Sequence, residues 1–253
     1  MDPLTRFQEL VNGPEATVPL DEAAMLIAAQ GHPPVDVAAE LGRLDELATR
    51  CREPTAVRVM ELLFTEEGLR GDVDTYGDPR NSFLPDVLDR RLGIPITLSV
   101  LAMEVGRRVG LQLQGIGMPG HFLVRHDEPG GGPMFFDPFT GGTMLDEAGC
   151  AARFRAAVGS GYAWDRSFLA PVGAHQILAR MLANLRQHYL AAADAASLGW
   201  VIRWRQAIPG ADPDELAAVA GTLARQARFA EAATLLEAGG RNAEAARYRG
   251  RLN

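Results

Sequence analysis

Apolar and polar residues alternate along this chain first at helical spacing, then at strand spacing, then again at helical spacing. Between Leu20 and Met60 the period is helical, in one run reading DEAAMLIAAQ and a second reading VDVAAELGRLDELATR. Pro33 and Pro34 break the first from the second, and Asp36 is placed to cap the second. The stretch TYGDPRNSFLPDVLDRRLGIP is dense in Asp, Pro, Asn and Gly and predicts turns around a short helix. ITLSVLAMEVGRRVG is apolar nearly all round its first two turns and closes on Gly110 after Arg107 and Arg108, which predicts a buried central helix with a glycine cap. Three short strands are then expected: LQLQGIG with its period of two, HFLVR and MFFD.

Past Gly161 the chain turns rich in Ala, Leu and Arg and reads as helix to its end. An internal repeat emerges at a spacing of 34, where Leu182, Leu185, Tyr189 and Ile202 map onto Leu216, Val219, Leu223 and Leu236, with a small Ala232 inside FAEAATLLEAGG. That period is the tetratricopeptide arrangement of paired helices. Two copies are too few for a free solenoid and are expected to pack on the domain before them.

With 253 residues and 47% hydrophobic content the chain can bury a sizeable core. Its net charge of -7 and pI near 5.3 give no basic footprint for nucleic acid or an anionic membrane, which leaves a protein, peptide or small molecule as partner. Two cysteines, Cys51 and Cys150, are too few for a disulfide framework, MDPLTRFQELVNG does not read as a secretory leader, and no apolar run is long enough to span a bilayer. Cytoplasmic residence is expected.

The chemistry concentrates in HFLVRHDEPGGGPMFFDPF. Read as a hairpin with DEPGGGP as its loop, the segment has its midpoint near Pro129, which sets His121 across from Asp137 on neighbouring antiparallel strands. A carboxylate there fixes the tautomer of the imidazole and raises its basicity, which is half of a nucleophilic triad. A slip of one residue would send the two side chains to opposite faces. A histidine on an apolar strand and an Asp before Pro are also ordinary core and turn residues. His126 differs from His121 by an odd number and is assigned to the loop, His175 and His188 fall on a helix, and no zinc-ligand spacing is present. No cofactor is expected.

DPRNSFLPDVLDRRLGIPITLSVLAMEVGRRVGLQLQGIGMPGHFLVR, followed by DPFTGG, resembles the SirB family of bacterial transglutaminase-like proteins, and the resemblance covers most of the chain. It implies an α+β, papain- or transglutaminase-like core, a central helix on a small antiparallel sheet, flanked by a helical lead-in (1–52) and a tetratricopeptide-like region (161–253), with the core at 53–160. Active relatives of that wider superfamily carry a cysteine at the start of the central helix, where the helix dipole and a neighbouring imidazolium stabilise thiolate. Counting back from Gly110 places Pro95 there, so the resemblance implies a scaffold whose nucleophile is lost. Ser99 and Thr97 are the nearby hydroxyls, more simply read as helix residues. Arg80 and Asn81 are expected either to organise the rim of the same cleft or merely to build a turn.

Two functions follow. One is a non-catalytic scaffold with a degenerate Cys-His-Asp site, binding a protein or peptide. The other is a hydrolase or acyltransferase in which His121 and Asp137 act without a cysteine.

Overall fold

A computed structural model describes residues 2–32, 34–128, 130–159 and 161–252. The chain begins with α1 (Pro3–Val11), α2 (Leu20–Gly31) and α3 (Val37–Arg50). The Asp36 carboxylate accepts from the amides of Ala38 and Ala39 and so caps α3, while Pro33, one of the two residues assigned to the break, lies outside the described residues. α4 (Ala56–Met60) continues as π-helical turns over Glu61–Glu66. Then come β1 (Arg70–Gly71), a 3-10 turn over Pro79–Ser82, α5 (Leu84–Arg90), β2 (Leu92–Gly93) and α6 (Pro95–Arg108).

α6 is the central helix. All its residues from Pro95 to Ala102 are buried, and Gly110 follows its end with φ of 82°, a conformation that costs glycine little. Pro95 occupies the first helical position, where the missing N–H breaks no intrahelical bond.

The main sheet is antiparallel throughout, in the order β6-β5-β4-β3-β7: β3 (Leu113–Ile116), β4 (Leu123–Asp127), β5 (Pro133–Asp137), β6 (Thr143–Leu145) and β7 (Pro171–Val172). β3, β4 and β5 answer to the three expected strands. β6 and β7 are too short to show a period of two, as are β1 and β2, which form a separate parallel pair. His126, assigned from sequence to the loop, lies within β4 opposite Met134. α7 (Glu147–Val158) closes one face, where Ile116, Leu123 and Phe135 pack with Cys150 and Phe154. α6 packs on β3 and β4.

The rest is helical: α8 (Ala174–Ala192), α9 (Ala195–Gln206), α10 (Glu215–Arg225), α11 (Phe229–Ala238) and α12 (Asn242–Arg249). The eight residues of the 34-residue comparison are all buried, and the first set falls on α8 and α9, the second on α10 and α11.

The chain divides into two compact units. Glu15–Leu178 forms one unit, and Met1–Pro14 with Ala179–Asn253 forms the other, the division falling inside α8. In the first unit α2 and α3 pack on α6, and Arg108 of α6 pairs with Asp21 at 2.7 Å and Asp45 at 2.6 Å. In the second, Phe7 of α1 lies 4.7 Å, centroid to centroid, from Trp204 of α9. Prolines and glycines mark where elements stop; which elements share a core is decided by burial, which they do not report.

Candidate functional site: a buried histidine and aspartate pair

His121 stands just ahead of β4, in a tight turn. Its amide donates to the Met118 carbonyl at 3.1 Å, with Pro119 and Gly120 between them and Gly120 at φ of 74°. Pro at the second turn position and Gly at the third meet the backbone demands of such a turn. A Cβ on Gly120 would also lie 2.8 Å from that of Ala157 on α7, so the glycine serves both the turn and the close approach. Met118 and Phe122, both buried, pin the turn on either side.

Asp137 ends β5 and caps the 3-10 turn Pro138–Thr140, its Oδ1 accepting from the Phe139 amide at 3.1 Å. His121 Nε2 lies 3.0 Å from the same Oδ1. The pair is therefore formed, though not by the expected register. Val124 pairs with Phe136 and Arg125 with Phe135, so Asp137 would face Leu123, not His121, and Pro129, the expected midpoint, lies outside the described residues. The shift amounts to two residues along β4, which preserves the face of the sheet, and His121 reaches Asp137 from the turn.

Asp137 is fully buried, and Arg153 of α7 brings Nε within 2.9 Å of Oδ2 at an angle outside hydrogen-bond geometry, while its terminal nitrogen donates to Thr140 Oγ1 at 3.1 Å. Burial alone would raise the Asp137 carboxyl; the hydrogen bond and charge of His121 with the charge of Arg153 outweigh it and hold the group below the usual carboxylate range. An ionised carboxylate only accepts, so Nε2 carries the proton of this hydrogen bond.

The Phe139 ring meets His121 edge-on at 6.1 Å, and Tyr76 meets Phe139 edge-on at 6.0 Å. Gly71 permits this packing, since a Cβ there would stand 2.5 Å from the Phe139 ring. The loop that carries Tyr76 is fixed by Asp72, whose oxygens accept from Thr75 N at 2.8 Å, Thr75 Oγ1 at 2.6 Å and Asn81 Nδ2 at 3.0 Å. Against the cost of burial, Thr75, Asn81 and Arg90 bring the Asp72 carboxyl down to about 2.

Asn81 is fully buried. Its amide also donates to the Thr75 carbonyl at 2.8 Å, its Oδ1 accepts from Arg90 at 3.0 Å, and its carbonyl accepts from Thr97 Oγ1 at 2.8 Å at the start of α6. Arg80 is placed elsewhere: it is exposed and forks onto Asp78 at 2.6 Å, and the arginine inside the network is Arg90. Ser99 is fully buried with its hydroxyl given to the Pro95 carbonyl at 2.7 Å. This is a helix back-bond in the core.

Neither cysteine resembles an activated thiol. Cys150 is fully buried in the apolar cluster, and burial, reinforced by Asp146 and Asp137, pushes its thiol up to about 11. Burial raises Cys51 as well, and its thiol donates to the Glu53 carbonyl at 3.3 Å. Among the described residues no group of His, Cys, Asp or Glu is arranged to hold a metal ion, and no helix is long and apolar enough to cross a membrane.

Sequence reasoning missed Arg153, Phe139, Asp72 and Arg90. Phe139 and Arg90 lie inside segments quoted above and Asp72 just ahead of one, but nothing in the spacing of Arg153 or Arg90 tells them from surface arginines.

A family model for the transglutaminase-like superfamily matches residues 35–183. A UPF0162 protein of Xylella fastidiosa is 36% identical over 202 residues, covering 74% of this chain and 70% of its own length. A UPF0162 protein of Pseudomonas aeruginosa is 34% identical over 183 residues, covering 69% of this chain and 66% of its own. A crystal structure of menin aligns with 98% of this chain and 69% of its own at a TM-score of 0.47 and 11% identity, a likeness too slight to carry an argument. The match across more than half its length, with relatives of this identity, shows that the chain belongs to the transglutaminase-like superfamily, alongside bacterial UPF0162 proteins.

Proposed function

We propose that this chain is a non-catalytic, SirB-type transglutaminase-like scaffold that binds a protein or peptide segment in the cytoplasm, with its C-terminal helices acting as tetratricopeptide-like repeats. The observation that carries this reading is Pro95: the start of the buried α6 holds a residue without a nucleophile. Both cysteines, meanwhile, are packed away with raised thiols. His121 and Asp137 then serve as a structural remnant that holds the Phe139 turn, and Tyr76, half-exposed over Phe139, offers a contact at the rim.

A second reading is favoured by one specific geometry. An imidazole 3.0 Å from a buried carboxylate is suited to act as general base on water, in hydrolysis or acyl transfer without a covalent intermediate. Two measurements on wild type and His121→Ala separate the readings: capture of partners from a bacterial extract, and turnover of glutamine-containing peptides with water or a labelled amine. Capture without turnover in wild type is expected. Turnover that disappears in His121→Ala overturns the scaffold reading in favour of an enzyme.

A further inference from the structure

At the far margin of the sheet, β7 covers only part of its neighbour. Val172 and Pro171 pair with Gly115 and Ile116, and after Gly173 the chain enters α8. Among the described residues Leu113 and Gln114 therefore have no strand beside them on that edge. A groove of about 800 Å³ lies there, within the Glu15–Leu178 unit. Every residue from Leu111 to Gly115 lines it. Successive strand residues point to opposite faces, so a wall made of consecutive residues means that the groove looks onto the edge of the backbone.

Leu20, Met103 and Ile177 add apolar surface to the lining. Gln114 Oε1 is buried with no hydrogen-bond partner, an acceptor that lacks a donor. The charged groups of the lining already have partners: Arg107 binds Glu104 at 2.8 Å and Asp21 at 2.9 Å, and Glu15 accepts from the His175 amide at 3.1 Å, so the lining calls for no charged segment. An extended polypeptide supplies what is missing: alternating N–H and C=O groups for the edge, and a side chain at every second residue for the apolar lining.

We propose that this groove is a docking site in which an uncharged, extended segment of a partner protein adds as a strand beside Leu113 and Gln114, continuing the ladder that β7 begins. The proposal rests on the reading of the chain as a peptide-binding scaffold and places the binding at the β7 margin. A random heptapeptide library displayed on phage, panned against the full chain, supplies the probe, and affinities of the selected synthetic peptides are then measured on variants. Ala16 is exposed and lines the groove, so Ala16→Trp fills it, and Gln112→Trp does so instead if the first variant fails to fold.

The expected result is a loss of at least tenfold in affinity in either filled variant. N-methylation of the peptide should cost as much at alternate residues and little at those between. Peptides that bind the filled variants normally but lose affinity in His121→Ala would overturn the groove while leaving the scaffold reading intact. Indifference to N-methylation at every residue would overturn strand addition. Self-association of the chain that Ala16→Trp abolishes would overturn the foreign partner in favour of a second copy. A folded wild type that selects no peptide overturns the proposal outright.

Discussion

Asp137 keeps its charge in a place without solvent because His121, the Phe139 amide and Arg153 surround its two oxygens. Replacing it with Asn removes the charge and leaves Arg153 facing a neutral amide. Because Arg153 is partly exposed, the loss is expected to be on the order of 2 kcal/mol at pH 7, less than for a fully buried pair. The carboxyl titrates lower in the folded chain than in the unfolded one, so its contribution is complete above the ordinary value of 3.8 and is lost as pH falls through the lower folded value. Urea denaturation of wild type and Asp137→Asn should accordingly show two curves far apart at pH 7 that converge in acid; a constant separation would count against the ionised pair. At this scale the sequence disclosed the two partners but not the means of their meeting. The turn residues Pro119 and Gly120 were visible, yet only the ladder of β4 and β5 shows that His121 stands outside it. Arg153 was not legible at all, since its contact with Asp137 depends on how α7 packs.

Elements decide how the site is held. α6 starts with Pro95, which the proposed reading sets at the nucleophile's place, and this makes the change informative in reverse. Pro95→Cys is expected to yield a thiol at a helix N-terminus that its burial, like that of Cys51 and Cys150, shields from iodoacetamide while the chain is folded. Mass spectrometry of the labelled peptide reads this directly, and alkylation of the introduced thiol in the folded chain faster than that of free cysteine would show an open, activating helix start. Farther along α6, Glu104 packs against Asp21 of α2, and both carboxylates share Arg107 and Arg108, the latter also bound to Asp45 of α3. Burial, with the Asp21 charge adding to it, pushes Glu104 up to about 7 despite the two arginines. The folded chain holds this proton more tightly than the unfolded one, so stability from Glu104 is full below about 4.5 and falls as pH rises towards 7. Relative to Glu104→Gln, wild type should lose on the order of 3 kcal/mol between pH 4.5 and pH 8, measured by thermal or urea melts. Parallel pH profiles would show that Glu104 is already ionised in the acid range.

Over the whole molecule, the chain divides into two units that its sequence order does not display, because α1 belongs with helices that follow at the other end of the chain. In that second unit Glu215 is buried between Arg186 at 2.5 Å and Arg205 at 2.8 Å. Glu215→Ala strands two arginines in a half-dry site and is expected to cost roughly 3 kcal/mol, visible as a lowered melting temperature; an unchanged one would mean that the pair is solvent-screened. Periodicity alone determined the central helix and the three longer strands, because burial on one face imposes a repeat that residue order must carry. Turn chemistry likewise determined the cap at Asp36 and the proline at the head of α6, both consequences of local backbone geometry. Only the tertiary structure decided the register of β4 against β5, the strands β6 and β7, the replacement of Arg80 by Arg90 beside Asn81, and the arrival of Arg153 at Asp137. Each of these depends on contacts between residues distant in sequence, whose pairing is settled by which buried surfaces fit and which buried polar groups find partners, and no local pattern records that outcome.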